Sequence, residues 1–342
     1  MSVLIAPISQ SLPDFLEKNL YSNIMVLVDE HTKKSCYPLL KTFLPKHQVV
    51  QIKSGEGQKN LTSATHIWEA MTNAQLDRHA LLINIGGGVI GDMGGFCAAT
   101  YKRGIDFIQV PTTLLSQVDA SVGGKLGIDF QGLKNHIGIF QLPKTVLIDP
   151  IFLKTLPVQE LRSGFAEVIK HCLIADAEKW EEIRMLDFEE QSWADLIAHS
   201  VKIKQQVTQA DPTEKGLRKI LNFGHTLGHA VETFYLNKPK QHLLHGEAIA
   251  VGMICEAFLS FKKKMIDNEA LAEIEEFIFS IYGKVTIAAK DLDEIINLTL
   301  QDKKNKGGQV RFSLLESIGK CGFDIVITKK EMKTALEYYI VG

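Results

Sequence analysis

Short runs of β-branched and aliphatic residues recur through the first 150 residues, each separated from the next by a longer mixed segment. The runs lie at 24–28, 49–52, 81–85, 107–110 and 146–148. Strands that alternate with helix-length segments cannot pair as tight hairpins, so they assemble side by side as parallel strands. The spacing therefore predicts an α/β domain of the Rossmann-like, dinucleotide-binding type with a mostly parallel sheet.

The pattern changes after Pro157. Residues 159–175, 193–210, 222–235 and 246–263 carry apolar side chains at the three- and four-residue spacing that is typical of helices. Two later β-rich segments, 310–314 and 323–327, predict a small ribbon. We therefore predict two domains: an α/β domain over 1–157 and a mainly helical domain over 158–342. The cleft between two such domains is the expected place for chemistry.

Composition excludes several classes of function. A net charge of −2 offers no general attraction for nucleic acid or for an anionic membrane. The five cysteines are widely spaced and form no C-x-x-C pair, which argues against a disulfide framework and a cysteine-based zinc site. We find no signal peptide and no run of 18 apolar residues, so we expect a cytoplasmic protein without a membrane partner.

A glycine-rich turn, Gly-Gly-Gly-Val-Ile-Gly-Asp at 86–92, follows the strand-like run 81–85 directly. Glycines let the backbone approach a phosphate closely, and a helix that starts there offers free N–H groups. An acid that binds ribose would be expected about twenty residues later, at Asp106. Asp106, however, starts the next strand, on the wrong side of the sheet. Asp29, at the end of run 24–28, is the alternative.

Histidines cluster between 225 and 245. His225 and His229 are four residues apart and so share one face of a predicted helix, and His245 follows at the start of another. A catalytic zinc needs about three nitrogen or oxygen ligands and one open position. Hydrogen-bonded helix histidines are the competing interpretation. The third histidine favours a metal, but spacing does not choose between His229 and His245.

The carboxylate ligand has three candidates, Glu167, Glu232 and Glu247. Glu167 lies on an otherwise apolar helix face, where an acid requires a partner. Lys125 and Lys134 lie beside glycines in a turn-like sequence, which suits phosphate binding, although solvated loop lysines are equally compatible with that pattern.

Six segments, in order, resemble the 3-dehydroquinate synthase family: GGGVIGD, VPTTLLSQVDASVGGK, LKNHIGIF, FAEVIKH, NFGHTLGHA and LLHGEAIAVGM. The resemblance covers roughly residues 50 to 315. It implies a dinucleotide-binding domain followed by a mainly helical domain, with the active site between them, in a homodimer. It also implies NAD and zinc as cofactors, with cobalt as a possible substitute for zinc.

The resemblance assigns roles to individual residues. The metal ligands that it implies are Glu167, His225 and His245. The NAD contacts that it implies are Asp29, Gly55, Glu56, Lys59, Gly87, Gly88, Val89, Gly91, Asp92, Thr112, Thr113, Lys125, Lys134, Phe152, Leu153, Lys154 and Thr155. The implied substrate contacts are Asp119, Lys125, Asn135, Lys170, Lys204, Glu214, Arg218, Asn222 and His229, Arg103 of the other subunit, and one of Lys303 and Lys304.

The implied reaction belongs to the shikimate pathway of aromatic amino-acid biosynthesis. 3-Deoxy-D-arabino-heptulosonate 7-phosphate, a small phosphorylated keto acid, is oxidised by NAD, loses phosphate by β-elimination, is reduced again, opens, and closes by an intramolecular aldol step to 3-dehydroquinate. The alternatives are a cyclase for another sugar phosphate, a metal-dependent polyol dehydrogenase, and a nucleotide-binding regulator without activity. Lys204 and Arg218 together favour a substrate with a carboxylate.

Overall fold

The computed structural model describes residues 2–131, 133–236, 238, 241–299 and 310–341 of the chain. The chain divides into two compact units, Met1–Leu161 and Arg162–Gly342. The division falls inside the helix Val158–Ala175, shortly after Pro157. The predicted change from α/β to mainly helical structure takes place in this part of the chain.

The secondary structure follows the predicted order. The strands are β1 (Ser2–Ile5), β2 (Ile24–Asp29), β3 (Gln48–Ile52), β4 (Leu81–Gly86), β5 (Asp106–Pro111), β6 (Lys125–Phe130), β7 (Leu133–Phe140), β8 (Thr145–Ile148), β9 (Val310–Ser317) and β10 (Lys320–Ile327). The α-helices are α1 (Ile8–Lys18), α2 (Glu30–Ser35), α3 (Leu61–Asn73), α4 (Gly88–Thr100), α5 (Val158–Ala175), α6 (Ala177–Arg184), α7 (Trp193–Ala210), α8 (His225–Leu236), α9 (His245–Lys262), α10 (Asn268–Tyr282), α11 (Leu292–Thr299) and α12 (Lys329–Val341).

The first unit is built on one six-stranded sheet in the order β1-β8-β5-β4-β2-β3. Every pair of neighbouring strands is parallel. β4 is buried along its whole length, as expected for a strand that has helices on both sides. The five predicted strands are confirmed. β1, a four-residue strand at the edge, is too short to be recognised from its sequence pattern.

Helix α4 lies very close to the strands beneath it. A Cβ atom added to Gly94 would lie 1.9 Å from the side-chain oxygen of Asn84 in β4, and one added to Gly95 would lie 2.4 Å from Leu126 in β6. A Cβ atom added to Gly88, the first residue of the helix, would meet only Ala120, at 3.5 Å. Gly94 and Gly95 are therefore required for packing, whereas Gly88 has room for a side chain.

The interpretation of Lys125 and Lys134 as loop residues is wrong. Lys125 begins β6 and Lys134 lies in β7, and these two strands form an antiparallel ribbon. The glycines beside Lys125, Gly123 and Gly124, do form a turn, with φ of +112° and +65°, directly before β6. Within the ribbon, Gly127 pairs with Gly138. A Cβ atom on Gly138 would lie 2.4 Å from the Leu126 carbonyl oxygen, so this glycine allows close strand pairing.

The second unit is mainly helical, as predicted. Helices α8 and α9 are in backbone contact: a Cβ atom on Gly252 would lie 1.9 Å from the Gly224 carbonyl oxygen. A Cβ atom on Gly228 would lie 3.1 Å from the Ala248 carbonyl oxygen. The α-helix begins at His225 rather than at residue 222, because a 3₁₀ helix, Leu217–Asn222, precedes it.

The predicted late ribbon is confirmed. Strands β9 and β10 pair in antiparallel fashion, and the Leu315 N–H donates to the Ser260 hydroxyl of α9 at 3.0 Å. The ribbon is thus attached to α9, the helix that begins with His245. Lys303 and Lys304, which include one implied substrate contact, lie outside the described residues.

All five cysteines have free thiols. Burial raises the pKa of the Cys36 thiol to about 11, and it raises the thiol pKa of Cys97, Cys172 and Cys255 further. Protonated, buried thiols are poor nucleophiles, so these positions are unsuited to cysteine catalysis. Within the described ranges, no helix is long and apolar enough to cross a membrane.

Candidate functional site

Three side chains from three helices of the second unit converge on one point. Glu167 lies in α5, and His225 and His245 are the first residues of α8 and α9. The Nε2 atoms of His225 and His245 lie 3.3 and 3.5 Å from Glu167 Oε1. One ligand atom from each of the three residues lies within 4.8 Å of the other two. This trio can hold a metal ion.

Each histidine of this trio has a second contact on its other ring nitrogen. Nδ1 of His225 lies 3.0 Å from the Phe223 carbonyl oxygen, and Nδ1 of His245 lies 3.5 Å from Glu232 Oε1. An acceptor at Nδ1 favours a ring proton on that atom, so Nε2 is the atom that could bind a metal ion once it carries no proton of its own. Such outer contacts orient histidine ligands in metalloproteins.

Neighbouring positive charge keeps the buried Glu167 carboxylate ionised. Glu167 is completely buried, and Lys170, one turn away in α5, contacts its Oε2 atom. Burial opposes ionisation, but the Lys170 ammonium and His225 outweigh it and hold the pKa of Glu167 well below its usual range. Burial, together with Lys170, lowers the pKa of His225 and favours its neutral form.

His245 differs from His225 in its charge state. Burial disfavours its charged form, but the carboxylates of Glu232 and Glu167 outweigh this effect and raise its pKa to about 10. A divalent cation would compete with that proton for the same side chain, because a histidine ligand must be deprotonated. The site thus concentrates negative charge around His245.

A second trio overlaps the first. His229, Glu232 and His245 also have ligand atoms within 4.8 Å of one another, and the two trios share His245. The ring centroids of His225 and His229 are 4.9 Å apart, as expected for one helix face. Proximity alone does not separate the two trios, but the trio with Glu167 is the more deeply buried.

The other predicted substrate residues of the second unit lie in α5, α7 and the segment before α8. Lys170, Lys204 and Arg218 are all buried, which is unusual for charged side chains. The Asn222 amide donates to Glu214 Oε1 at 2.8 Å. Arg218 donates to the Pro212 carbonyl oxygen at 2.8 Å. The buried cations are suited to an anionic ligand.

The glycine turn of the first unit joins β4 to α4. A small recess lies at the turn and is lined by Gly86, Gly87, Gly88, Gly91, Gln109, Pro111, Ser116, Ala120 and Ser121. Gly87 caps the helix without a side chain, so the first N–H groups of α4 have no side-chain partner at the cap. This arrangement suits a phosphate group.

Five predicted ligand-contact residues of the first unit form one charged cluster. Lys59 is buried, and its ammonium contacts Asp92 Oδ2 at 2.5 Å and also Asn135 Oδ1. Burial opposes the charge on Lys59, but Asp92 and Glu56 outweigh it and raise its pKa. Lys134 Nζ lies 3.7 Å from Glu56 Oε1. The cluster therefore fixes the side chains that flank the start of α4.

The remaining predicted residues of the first unit are more dispersed. Asp29 ends β2 and caps α2, accepting the Thr32 N–H at 2.7 Å. Gly55 has φ +97°, which favours glycine. The other positions lie just after β5, in the π-helical turn Ser116–Ala120, in the 3₁₀ helices Tyr101–Arg103 and Pro150–Thr155, and in the first turn of α4. They are Thr112, Thr113, Asp119, Arg103, Phe152, Leu153, Lys154, Thr155 and Val89.

Comparisons with known proteins identify the family of the chain. The sequence profile of the 3-dehydroquinate synthase N-terminal domain matches residues 49–163, and that of the C-terminal domain matches residues 164–305. The 3-dehydroquinate synthase of Parabacteroides distasonis is 39% identical over 342 residues, covering 98% of this chain and 97% of that protein.

Solved structures with the same fold include two synthases. The 2-epi-5-epi-valiolone synthase of Streptomyces hygroscopicus subsp. jinggangensis, with NAD+ and Zn2+ bound, has a TM-score of 0.87 and 25% identity, covering 99% of this chain and 96% of that one. A 2-deoxy-scyllo-inosose synthase, complexed with carbaglucose-6-phosphate, NAD+ and Co2+, has a TM-score of 0.87 and 23% identity, covering 98% and 96%. The chain belongs to the 3-dehydroquinate synthase family.

Proposed function

We propose that this protein converts 3-deoxy-D-arabino-heptulosonate 7-phosphate to 3-dehydroquinate and phosphate, using NAD and a divalent metal. The observation that carries the proposal is the convergence of Glu167, His225 and His245 in a family whose members are named for this reaction. Zinc is the proposed ion, and cobalt, with similar ligand preferences, is the proposed substitute.

The trio fits such an ion in number, chemistry and spacing. Two ligands that each lie about 2.0–2.1 Å from a tetrahedral zinc are separated by about 3.3 Å. The Nε2 atoms of His225 and His245 lie 3.3 and 3.5 Å from Glu167 Oε1. Three protein ligands leave a position open, as a catalytic metal requires. Glu167, His225 and His245 are therefore the proposed ligands.

The glycine turn fits the pyrophosphate of NAD. Its recess is lined mainly by glycines and small residues, and α4 directs its N-terminal N–H groups to the same end of β4. The proposed NAD contacts are the individual residues that the family resemblance implies, of which Asp29 is the first and Thr155 the last in the sequence. When bound, NAD takes up and returns one hydride, and zinc polarises the substrate hydroxyl groups.

The buried cations of the second unit are assigned to the anionic groups of the substrate. Arg218 and Lys204 are proposed to bind the carboxylate, because a guanidinium can make two parallel hydrogen bonds to it. Asn222 and His229 are proposed to hold the phosphate, with Glu214 orienting the Asn222 amide. In the first unit, Asp119, Lys125, Asn135 and Arg103 keep the substrate roles that the resemblance implies.

His229 is proposed to position the phosphate rather than to carry a proton. The departing phosphate has oxygen atoms that can accept the neighbouring C–H proton, so the substrate supplies its own base. Lys170 is proposed to contact substrate as well as to balance the charge of Glu167. The protein thus contributes orientation and electrostatic stabilisation.

We also propose that the protein works as a cytoplasmic homodimer. The support is the family resemblance, in which Arg103 serves the substrate site of the other subunit, together with the set of free cysteines, which is typical of reducing compartments. Sedimentation analysis of the purified chain should give twice the chain mass.

Alanine variants of His229 and His245 distinguish the two overlapping trios. We expect His245→Ala to lower zinc affinity more than 100-fold. Loss of a residue that only orients a metal ligand typically lowers metal affinity about 10- to 100-fold, so a larger loss indicates a ligand. His229→Ala should bind zinc within about threefold of the wild type but turn over about 10²-fold more slowly, the typical cost of a misplaced reacting group. Zinc affinity is measured by competition with a chromogenic chelator. Loss of zinc binding in His229→Ala would contradict the assignment, as would wild-type turnover.

The choice of substrate is tested with two sugar phosphates. The zinc-loaded protein should release phosphate from the heptulosonate phosphate and not from glucose 6-phosphate, which has no carboxylate for Lys204 and Arg218. Release from glucose 6-phosphate alone would identify another sugar-phosphate cyclase. Oxidation of a simple polyol with net formation of NADH would identify a dehydrogenase instead.

A further inference from the structure

Glu256 is a carboxylate in an apolar part of α9, and none of its surface is exposed to solvent. Every residue from Ala248 to Ser260 is buried. A buried carboxylate is costly unless several hydrogen-bond donors surround it. Hydrogen-bond donors around Glu256 must therefore stabilise its buried carboxylate.

Three backbone N–H groups donate to this carboxylate. The Gly224 N–H donates to Oε2 at 2.7 Å, and those of Thr226 and Leu227 donate to Oε1 at 3.0 and 3.2 Å. They belong to the start of α8, where N–H groups have no partner within the helix and the helix dipole is positive. Gly224 has no side chain that could cap the helix. Glu256 thus caps α8 from the neighbouring helix.

The three donors lie on both sides of His225 in the sequence. One carboxylate therefore fixes the backbone immediately before and after this residue, while the Phe223 carbonyl oxygen orients its ring through Nδ1. Glu256 belongs to the same helix as His245, and α8 and α9 are in backbone contact where Gly252 meets Gly224. The carboxylate thus ties the helix that begins with His225 to the helix that begins with His245.

We propose that Glu256 is a positioning residue that holds His225 at the distance from Glu167 and His245 that a bound divalent cation requires. This inference rests on the proposed function, because it takes those three residues as the metal ligands. Glu256 acts through the backbone of α8.

Two substitutions test the role. Glu256→Gln keeps the shape but replaces one oxygen by an amide NH₂ group, which must face an N–H of α8 whichever way the amide is turned. We expect zinc affinity to fall about 10- to 100-fold, as for other groups that hold metal ligands in place. Glu256→Asp keeps both oxygens but withdraws them by one methylene group, so we expect a smaller loss.

Two readouts besides activity report on the ligands directly. Zinc affinity is measured by chelator competition on the metal-free full-length chain. The visible absorption of the Co2+-loaded protein reports coordination, and we expect its bands to shift and weaken in the Gln variant. Turnover at saturating zinc should recover in part, because the ligands themselves are retained.

Ser260→Ala is the matched control. Ser260 lies one turn further along α9 and is buried. Its hydroxyl donates to the backbone carbonyl oxygen of Glu256 at 2.8 Å and accepts the Leu315 N–H of β9 at 3.0 Å, so its removal leaves the bonds from the Glu256 carboxylate to the start of α8 in place. Its loss should lower thermal stability while zinc affinity and the Co2+ spectrum stay unchanged. An equal loss of zinc affinity in this variant would overturn the proposal, because it would show a general effect of a weakened helix.

The outcomes separate this inference from the proposed function. Failure of the wild-type protein to bind zinc or cobalt would refute the metal centre itself. If the wild type binds and both Glu256 variants bind equally well, with unchanged spectra, only the positioning role is overturned. If Glu256→Gln does not fold, Glu256→Asp decides, and wild-type affinity in that variant overturns the role.

Discussion

Replacing Glu167 by glutamine should reduce turnover at least about 10³-fold, equivalent to about 4 kcal/mol of transition-state stabilisation. Glu167 is the point at which His225 and His245 meet, and its buried charge attracts the cation. A neutral amide removes that charge and one proposed ligand. Zinc affinity, measured by chelator competition, should therefore fall more than 100-fold.

The same substitution removes the negative charge that the buried Lys170 ammonium contacts. Breaking a buried ion pair typically costs about 3–5 kcal/mol, so the single variant should also be less stable to urea. The double variant Glu167→Gln/Lys170→Met should regain stability without regaining zinc binding. Glu247→Gln is the control at another candidate carboxylate, because Glu247 accepts the Leu244 N–H and lies outside both trios. Zinc binding by Glu167→Gln with wild-type affinity would contradict the assignment.

Alanine at Gly88 should weaken NAD binding about 10- to 100-fold and leave the fold intact. Gly88 lines the recess at the start of α4, and its added methyl group would lie where a phosphate approaches the N–H groups. Loss of one charge-assisted hydrogen bond costs about 1.5–3 kcal/mol, and 1.4 kcal/mol corresponds to a factor of ten. Calorimetric titration with NAD measures the effect.

Alanine at Gly94, in the same helix, is the matched control. Its Cβ atom would lie 1.9 Å from the side-chain oxygen of Asn84, whereas at Gly88 the nearest atom is Ala120 Cβ at 3.5 Å. Overpacking of this kind costs about 1–3 kcal/mol. The melting temperature should therefore fall for Gly94→Ala and not for Gly88→Ala. Wild-type NAD affinity in Gly88→Ala would refute the assignment of the recess.

Much of the fold could be predicted because it depends on local patterns. The buried strands are continuous apolar runs, and the helices of the second unit show regular apolar spacing. Glu167 could be singled out because it is an acid on an apolar helix face. The loop assignment of Lys125 was wrong because the turn formed by Gly123 and Gly124 ends just before it, and strand β6 begins at Lys125 itself.

The choice between His229 and His245 could not be made from spacing. The distance between the His225 and His229 side chains is set by the geometry of one helix. The distance between His225 and His245 depends on how α8 packs against α9. The resemblance to a known family made the choice instead. Glu256 gives the same signal as Glu167, a single acid in an apolar helix, but its partners are backbone N–H groups, which have no sequence signature.

The ratio of phosphate released to NAD supplied tests the central claim most directly. The zinc-loaded protein is incubated with 3-deoxy-D-arabino-heptulosonate 7-phosphate and a trace of NAD, a small fraction of the amount of substrate. We predict that phosphate and 3-dehydroquinate form in equal amounts, in large excess over NAD, with no lasting rise in absorbance from NADH. Accumulation of NADH in step with product, or the absence of phosphate release, would contradict the account.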